Sequence, residues 1–131
     1  MKFSKSQQEV IDLRDKNILV SAAAGSGKTT VLVERIIKLL INEQENIDRF
    51  LIVTFTNAAA SGMKQKIHKE LIKAIQNSEN KEHLKKQLNL LPKSSISTIH
   101  SFCIDVVRKN FHVIGIDPNF RIGDVNEIEI I

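Results

Sequence analysis

The sequence predicts an α/β layered domain built on a parallel sheet. Three observations carry this. Short β-branched runs alternate with longer helical patterns, in the order βαβαα(β)α. The runs "NILVSA" and "FLIVTFT" are almost continuously apolar rather than alternating, the profile of strands buried on both faces. A glycine-bearing turn, "AAAGSGKTT", leads from the first run into an amphipathic helix, as a phosphate-binding loop does.

The elements follow in order. Residues 4–13 open with serines suited to capping and continue as a short helix. "NILVSA", residues 17–22, is the first expected strand. From Lys28 to Ile41, Val31, Leu32, Arg35, Ile36, Leu39 and Leu40 recur at helical spacing. "FLIVTFT", residues 50–56, is the second strand. Asn57 is placed to cap a long helix over about 58–77, striped by Met63, Ile67, Leu71 and Ile75. A shorter helix runs to about Leu91, where Pro92 ends it. "SSISTI" is a short third strand, and a helix follows from about His100 to Asn110. The tail is turn-rich around Asp117–Pro118. Right-handed crossovers would bring the strand ends, and any ligand, to one edge.

Bulk properties narrow the class. A chain of 131 residues with 42% hydrophobic and 26% charged residues can bury a core and is not composed like a disordered one. No apolar run is long enough to span a bilayer, and "MKFSKSQQEV" has no apolar signal core, so a cytoplasmic location is expected. The single cysteine, Cys103, excludes an internal disulfide framework, and its apolar neighbours read as a buried structural thiol. The net charge of +4 is uneven: residues 64–110 hold ten Lys/Arg against four Asp/Glu. A basic middle is compatible with a polyanionic partner, although a solvated lysine-rich helix face has the same composition.

The turn at 22–30 nearly spells G-x-x-x-x-G-K-[ST], with Ala22 where the first glycine would stand. The candidate cradle is Ala22, Ala23, Ala24, Gly25, Ser26, Gly27, Lys28, Thr29 and Thr30. In such a loop, successive backbone N–H groups and the positive end of the following helix hold phosphates. Lys28 would reach the β- and γ-phosphates, and the Thr29 hydroxyl would coordinate Mg²⁺. Gly25 and Gly27 supply backbone freedom, and Ala22 is acceptable in most conformations with negative φ. The loop predicts a triphosphate site but does not choose among kinases, GTPases, transporters and motors.

Three further segments make that choice: "FSKSQQEVI" before the loop, "TFTNAAASGMKQKI" from Thr54, and "ISTIHSFCIDVVRKN" from Ile96. With the loop, and in this order, they resemble the N-terminal motor region of UvrD/Rep-like superfamily 1 DNA helicases. The likeness is greatest to the AddA-like branch, the helicase-bearing chains of bacterial ATP-dependent helicase/nucleases, and covers essentially the whole chain. The resemblance implies part of the first RecA-like motor domain, a P-loop fold with helices on both sides of its sheet. It implies that Gln7 reads the adenine ring, with Gln8 the alternative register. An amide can donate to a ring nitrogen and accept from the exocyclic amine, which suits adenine. In this family alanine often replaces the first loop glycine, so Ala22 fits.

By the same resemblance, Thr54, Phe55, Thr56, Asn57, Thr98, His100 and Ser101 are the candidate contacts to single-stranded DNA. Short hydroxyl and amide side chains at a helix start suit phosphate oxygens, and an exposed ring suits base stacking. Read without the family, Phe55 would be core and Asn57 only a helix cap, and His100 is as well explained as a structural histidine. Phe102 and Cys103 are assigned to core. Ala58, Gly62 and Lys66 depart from the family's usual Lys, Glu and Arg, and Gly62 within a helix has no sequence-level explanation.

The implied activity is that of an ATP- and Mg²⁺-dependent helicase tracking 3′ to 5′ in double-strand break repair. Its implied partners are single-stranded and duplex DNA and an AddB-like nuclease chain. The acidic Asp-Glu pair and the second-domain arginines that such motors need for hydrolysis are not among these residues; "NEIEII" at 126–131 lacks the pattern. The expectation is therefore an N-terminal piece of a larger protein, inactive alone, whose open sheet edge and exposed apolar surface promote self-association. The alternatives are a UvrD/Rep-like helicase without nuclease, a small nucleotide kinase, and a non-catalytic ATP- or nucleic-acid-binding module. A kinase would leave the Thr-Phe-Thr-Asn segment without a role.

Overall fold

The computed structural model describes residues 3–117 and 119–123. The backbone forms two compact units, one ending at Thr98 and one beginning at Ile99. The first contains α1 (Lys5–Asp12), α2 (Lys28–Asn42), a 3-10 turn (Ile47–Arg49), β1 (Leu51–Thr54), α3 (Asn57–Asn77), α4 (Lys81–Leu90), a second 3-10 turn (Leu91–Lys93) and β2 (Ser95–Thr98). The second contains α5 (Ile99–Lys109) and α6 (Phe111–Ile114).

The expected α/β class holds: β1 and β2 pair in parallel, Leu51 opposite Ser95 through Thr54 opposite Thr98, with helices packed around them. Parallel neighbours need a long crossover, which α3 and α4 supply. Ile52 and Ile96 sit opposite one another and point into a core shared with Ile36, Ile37 and Leu40 of α2, Met63, Ile67 and Leu71 of α3, and Leu84 of α4. Ile75, the last residue of the expected α3 stripe, is partly buried against the same cluster. The stripe on α2 is turned slightly from expectation. Val33 and Ile37 are buried, whereas Leu32 is exposed and Arg35 only half-buried.

One polar group is built into the core. Gln87 is fully buried; its Oε1 accepts from the Ile47 N–H at 2.9 Å and its Nε2 donates to Asn46 Oδ1 at 2.9 Å. It thereby satisfies a main-chain donor in the first 3-10 turn that would otherwise be buried unpaired.

Residues 17–22 are not a strand. Leu19 is 97% exposed and Val20 44%, and the segment runs as irregular backbone from the turn at Asp15, whose φ is +57°. An apolar run signals a preference for burial, but a strand also needs a neighbour for its N–H and C=O groups. Among the described residues β1 and β2 satisfy each other, and no third strand pairs with this run. On the sheet, Leu51 (53%) and Val53 (48%) are likewise exposed.

Two helix expectations are also corrected. Thr56, not Asn57, caps α3: its backbone is extended (φ −130°, ψ 151°) and its Oγ1 accepts from the Ala59 N–H at 3.1 Å. Asn57 is the first helical residue. In the second unit, α5 buries none of its residues; Phe102 is half-buried and Cys103 exposed, so neither forms a core. A thiol is buried only where another element covers it, and none covers this one. The tail turn is visible in part: Asp117 accepts at its carboxylate from the Asn119 N–H (2.7 Å) and at its carbonyl from the Phe120 N–H (3.0 Å). Pro118 and "NEIEII" lie outside the described residues.

Candidate functional site

The candidate site lies between α1 and the loop that starts α2. Ser4 opens α1 with a reciprocal cap: its Oγ accepts from the Gln7 N–H at 3.3 Å, and its own N–H donates to Gln7 Oε1 at 2.9 Å. The S-x-x-Q spacing is the sequence mark of that arrangement. Gln7 also reaches across the chain, donating from Nε2 to the Ser26 carbonyl at 3.1 Å. A side-chain amide has two donors and two lone pairs. These bonds use one of each, so one N–H and one lone pair stay available to a ligand.

The loop owes its shape to its glycines. Gly25 (φ +79°) and Gly27 (φ +83°, ψ 16°) are left-handed, a conformation that costs an L-residue roughly 1–2 kcal/mol. Gly27 stands at the N-cap of α2 and cannot cap it with a side chain, so the first N–H groups of the helix remain open. Ala22 needs no such freedom and has none. Lys28 folds back over the loop, where its ammonium donates to the carbonyls of Ala22 and of Ala23, the latter at 2.8 Å. A turn bond from Ser26 N–H to the Ala23 carbonyl (3.3 Å) narrows the loop beneath it. Ala24, Thr29 and Thr30 complete the segment, Thr29 exposed and Thr30 half-buried.

Between these parts is a cavity of about 490 Å³. Gln7, Ser26 and Lys28 supply its polar groups, and Val10, Val20, Val31 and Leu32 much of its apolar wall. Leu32 is exposed because it faces this space rather than the core. The sequence reading missed Ser4, Ser6, Val10 and Leu32. The capping-box spacing would have found Ser4, and Leu32 breaks the otherwise buried stripe of α2.

The residues expected to meet DNA divide between the two units. Thr54 and Thr98 are register partners at the carboxyl ends of β1 and β2, so the segments "TFTNAAASGMKQKI" and "ISTIHSFCIDVVRKN" meet at one sheet edge. Thr98 is buried. The Thr54 Oγ1 donates to the Thr56 carbonyl at 2.9 Å. Its single proton is thereby spent, and donation to another acceptor requires that bond to open. Thr56 spends a lone pair on the Ala59 N–H and keeps its proton. Asn57, released from capping, is exposed. Phe55 is fully exposed, against the core placement that its residue type suggests. His100 and Ser101 lie in the first turn of α5 in the second unit, His100 exposed and Ser101 half-buried. Among the described residues, no group of three His, Cys, Asp or Glu side chains is placed to hold a metal. No helix there is long and apolar enough to cross a membrane.

Comparison with known proteins bears on this geometry. The family described as "UvrD/REP helicase N-terminal domain" matches residues 3–131. The AddA-type chain of the ATP-dependent helicase/nuclease from Alkaliphilus metalliredigens is 54% identical over 129 residues, covering 98% of this chain and 11% of that protein. Its counterpart of the same name from Clostridioides difficile is 55% identical over 132 residues, covering 99% and 10%. The one from Syntrophomonas wolfei is 56% identical over 125 residues, covering 95% and 10%. The chain thus spans about a tenth of the length of these relatives.

Proposed function

Because the chain belongs to the UvrD/REP helicase N-terminal domain family, we propose that it is the ATP-binding segment of an AddA-type ATP-dependent DNA helicase/nuclease chain, within the first RecA-like motor domain. The observation that carries this is one cavity with Gln7 at one end and the Lys28 loop at the other. That arrangement matches a ligand with an amide-reading base and a polyanionic tail.

The residues fit ATP. The free N–H and lone pair on Gln7 match the donor–acceptor edge of adenine, and Val10, Val31 and Leu32 offer apolar surface to a ring. The open N–H groups at the start of α2, with the helix's positive end, suit phosphate oxygens. Lys28 exchanges the carbonyls of Ala22 and Ala23 for phosphate oxygens, an exchange of neutral acceptors for charged ones that favours the bound state. The Thr29 hydroxyl, in the first turn, is the group that would hold Mg²⁺, which supplies neutralisation of charge on the β- and γ-phosphates. Mg²⁺ is bound mainly through phosphates and water with one or two protein oxygens, so a single hydroxyl is an adequate protein share.

Single-stranded DNA is the proposed track. Phe55 supplies a stacking face and Thr56 and Asn57 supply donors for phosphates, with Thr54 and Thr98 at the same edge and His100 and Ser101 adding contacts in the second unit. The wider role is 3′-to-5′ translocation in double-strand break repair in the cytoplasm, alongside an AddB-like nuclease chain. The relatives' names support the helicase and nuclease parts. The exposed Leu51 and Val53 support self-association of the chain when it stands alone.

The test is Lys28→Ala in the complete protein. DNA-stimulated ATP turnover should disappear while single-strand affinity, read by fluorescence anisotropy, stays within about twofold of the parent. Surviving turnover would mean that the phosphates lie elsewhere.

A further inference from the structure

The helix that carries Gln7 is gripped at its far end by an arginine outside the nucleotide contacts. Arg35, on α2, donates from Nη1 to the carbonyls of Val10 and Leu13 at 2.6 Å each, and more weakly to that of Ile11 at 3.5 Å. These belong to the last turn of α1 and its C-cap, where carbonyls have no partner within the helix. Arg14 joins at the same end, donating to the carbonyls of Ile11 (2.8 Å) and Leu13 (3.0 Å), and its own charge is balanced by Glu43. Ile11 is fully buried beneath them. Burial lowers the pKa of Arg35, and Arg14 nearby lowers it further. The site therefore gives up solvation to keep this guanidinium on the α1 carbonyls.

The grip bears directly on the cavity. Val10, whose carbonyl Arg35 holds, lines the same space as Gln7. Gln7 stands six residues from Leu13, about 9 Å along a helix axis at the usual rise. Over that length a tilt of about 10° moves Gln7 by roughly 1.5 Å, more than the 3.1 Å bond to Ser26 can absorb. We propose that Arg35 is a positioning residue for base recognition: by holding the C-terminal carbonyls of α1, it sets the reach of Gln7 over the nucleotide cavity. The proposal rests on the assignment of Gln7 to adenine.

Titration of the complete protein with ATP, GTP and inorganic tripolyphosphate separates the base end from the phosphate end. Arg35→Met should weaken ATP about tenfold and lower the ATP-over-GTP preference to the level of Gln7→Ala, while tripolyphosphate affinity stays within twofold. Combining Gln7→Ala with Arg35→Met should lower the preference no further than Gln7→Ala alone. Arg35→Lys should retain most of the preference, because a single nitrogen makes all three bonds and an ammonium carries three N–H groups. If the methionine variant does not fold, Arg35→Gln carries the same comparison. An unchanged preference in the Arg35 variant, with Gln7→Ala still lowering it, overturns the role of Arg35 alone. An equal loss of ATP and tripolyphosphate overturns it too, since the loop itself would then have collapsed. If Gln7→Ala leaves the preference unchanged, the adenine assignment falls and the proposal with it.

Discussion

Gln7 is hydrogen-bonded to Ser26 across the mouth of the nucleotide cavity, Nε2 to carbonyl at 3.1 Å, while its Oε1 is held by the N–H of Ser4. The amide is thus oriented before any base arrives, with its oxygen committed to one side and its donors to the other.

Substitutions at this residue can separate capping from recognition. Gln7→Glu preserves the reciprocal cap, since glutamate serves at that helix position as well as glutamine does. It loses both donors and sets a carboxylate against the Ser26 carbonyl. ATP affinity measured by calorimetry should fall about tenfold, the worth of roughly one good hydrogen bond, with the melting temperature little changed. A comparable loss of GTP affinity would argue against a base contact.

At the strand end, Phe55 and Thr56 should separate cleanly. Phe55 is fully exposed, so Phe55→Ala should leave stability within about 0.5 kcal/mol of the parent. It should weaken single-strand binding by about 1–3 kcal/mol if a base stacks there, with the salt dependence unchanged. Thr56→Ala removes the N-cap of α3 and should lower stability by about 1 kcal/mol. Anisotropy and urea unfolding on both variants give the comparison.

In the core, Gln87 is the sensitive polar position. Gln87→Met keeps the volume but strands the buried N–H of Ile47 and the side chain of Asn46. Unfolding in urea should show a loss of about 1–3 kcal/mol. An unchanged midpoint would mean that water replaces the amide.

Acid should loosen α1 from α2. Asp12 is held below the ordinary aspartate value, first by its hydrogen bond from Gln8 and then by Lys38, 2.9 Å away. A depressed carboxylate stabilises the folded state above its unfolded pKa of about 3.9 and loses that contribution as pH falls through the lower folded value. The parent should therefore lose more stability than Asp12→Asn as pH drops from about 5 to below 3.9. Parallel curves from thermal melts would remove Asp12 from the account.

Much of this fold is legible in the sequence because helices state their own period. Met63, Ile67 and Leu71 mark the buried face of α3, and Pro92 lies in the 3-10 turn that closes α4. The phosphate loop is legible for a related reason, since Gly25 and Gly27 stand where the backbone must turn left-handed. The failures share a cause. Leu19 and Val20 advertise burial, but their strand needs a partner from elsewhere, which no local pattern encodes. Thr56 and Asn57 are both competent caps, and the choice depends on where the chain passes from extended to helical. Phe55 is apolar by type and exposed by position. Arg35 fell on the apolar stripe of α2, and only the neighbouring helix explains its charge there.

The pairing of Thr54 with Thr98 constrains any movement along DNA. Two gripping elements joined by a continuous ladder from Leu51–Ser95 onward cannot slide past one another. The edge would advance as a single jaw, each rung fixed at about 4.8 Å from its neighbour. A step along the strand then has to come from this jaw travelling against a separate one, with side-chain hydroxyls such as that of Thr54 letting go and re-engaging between strokes.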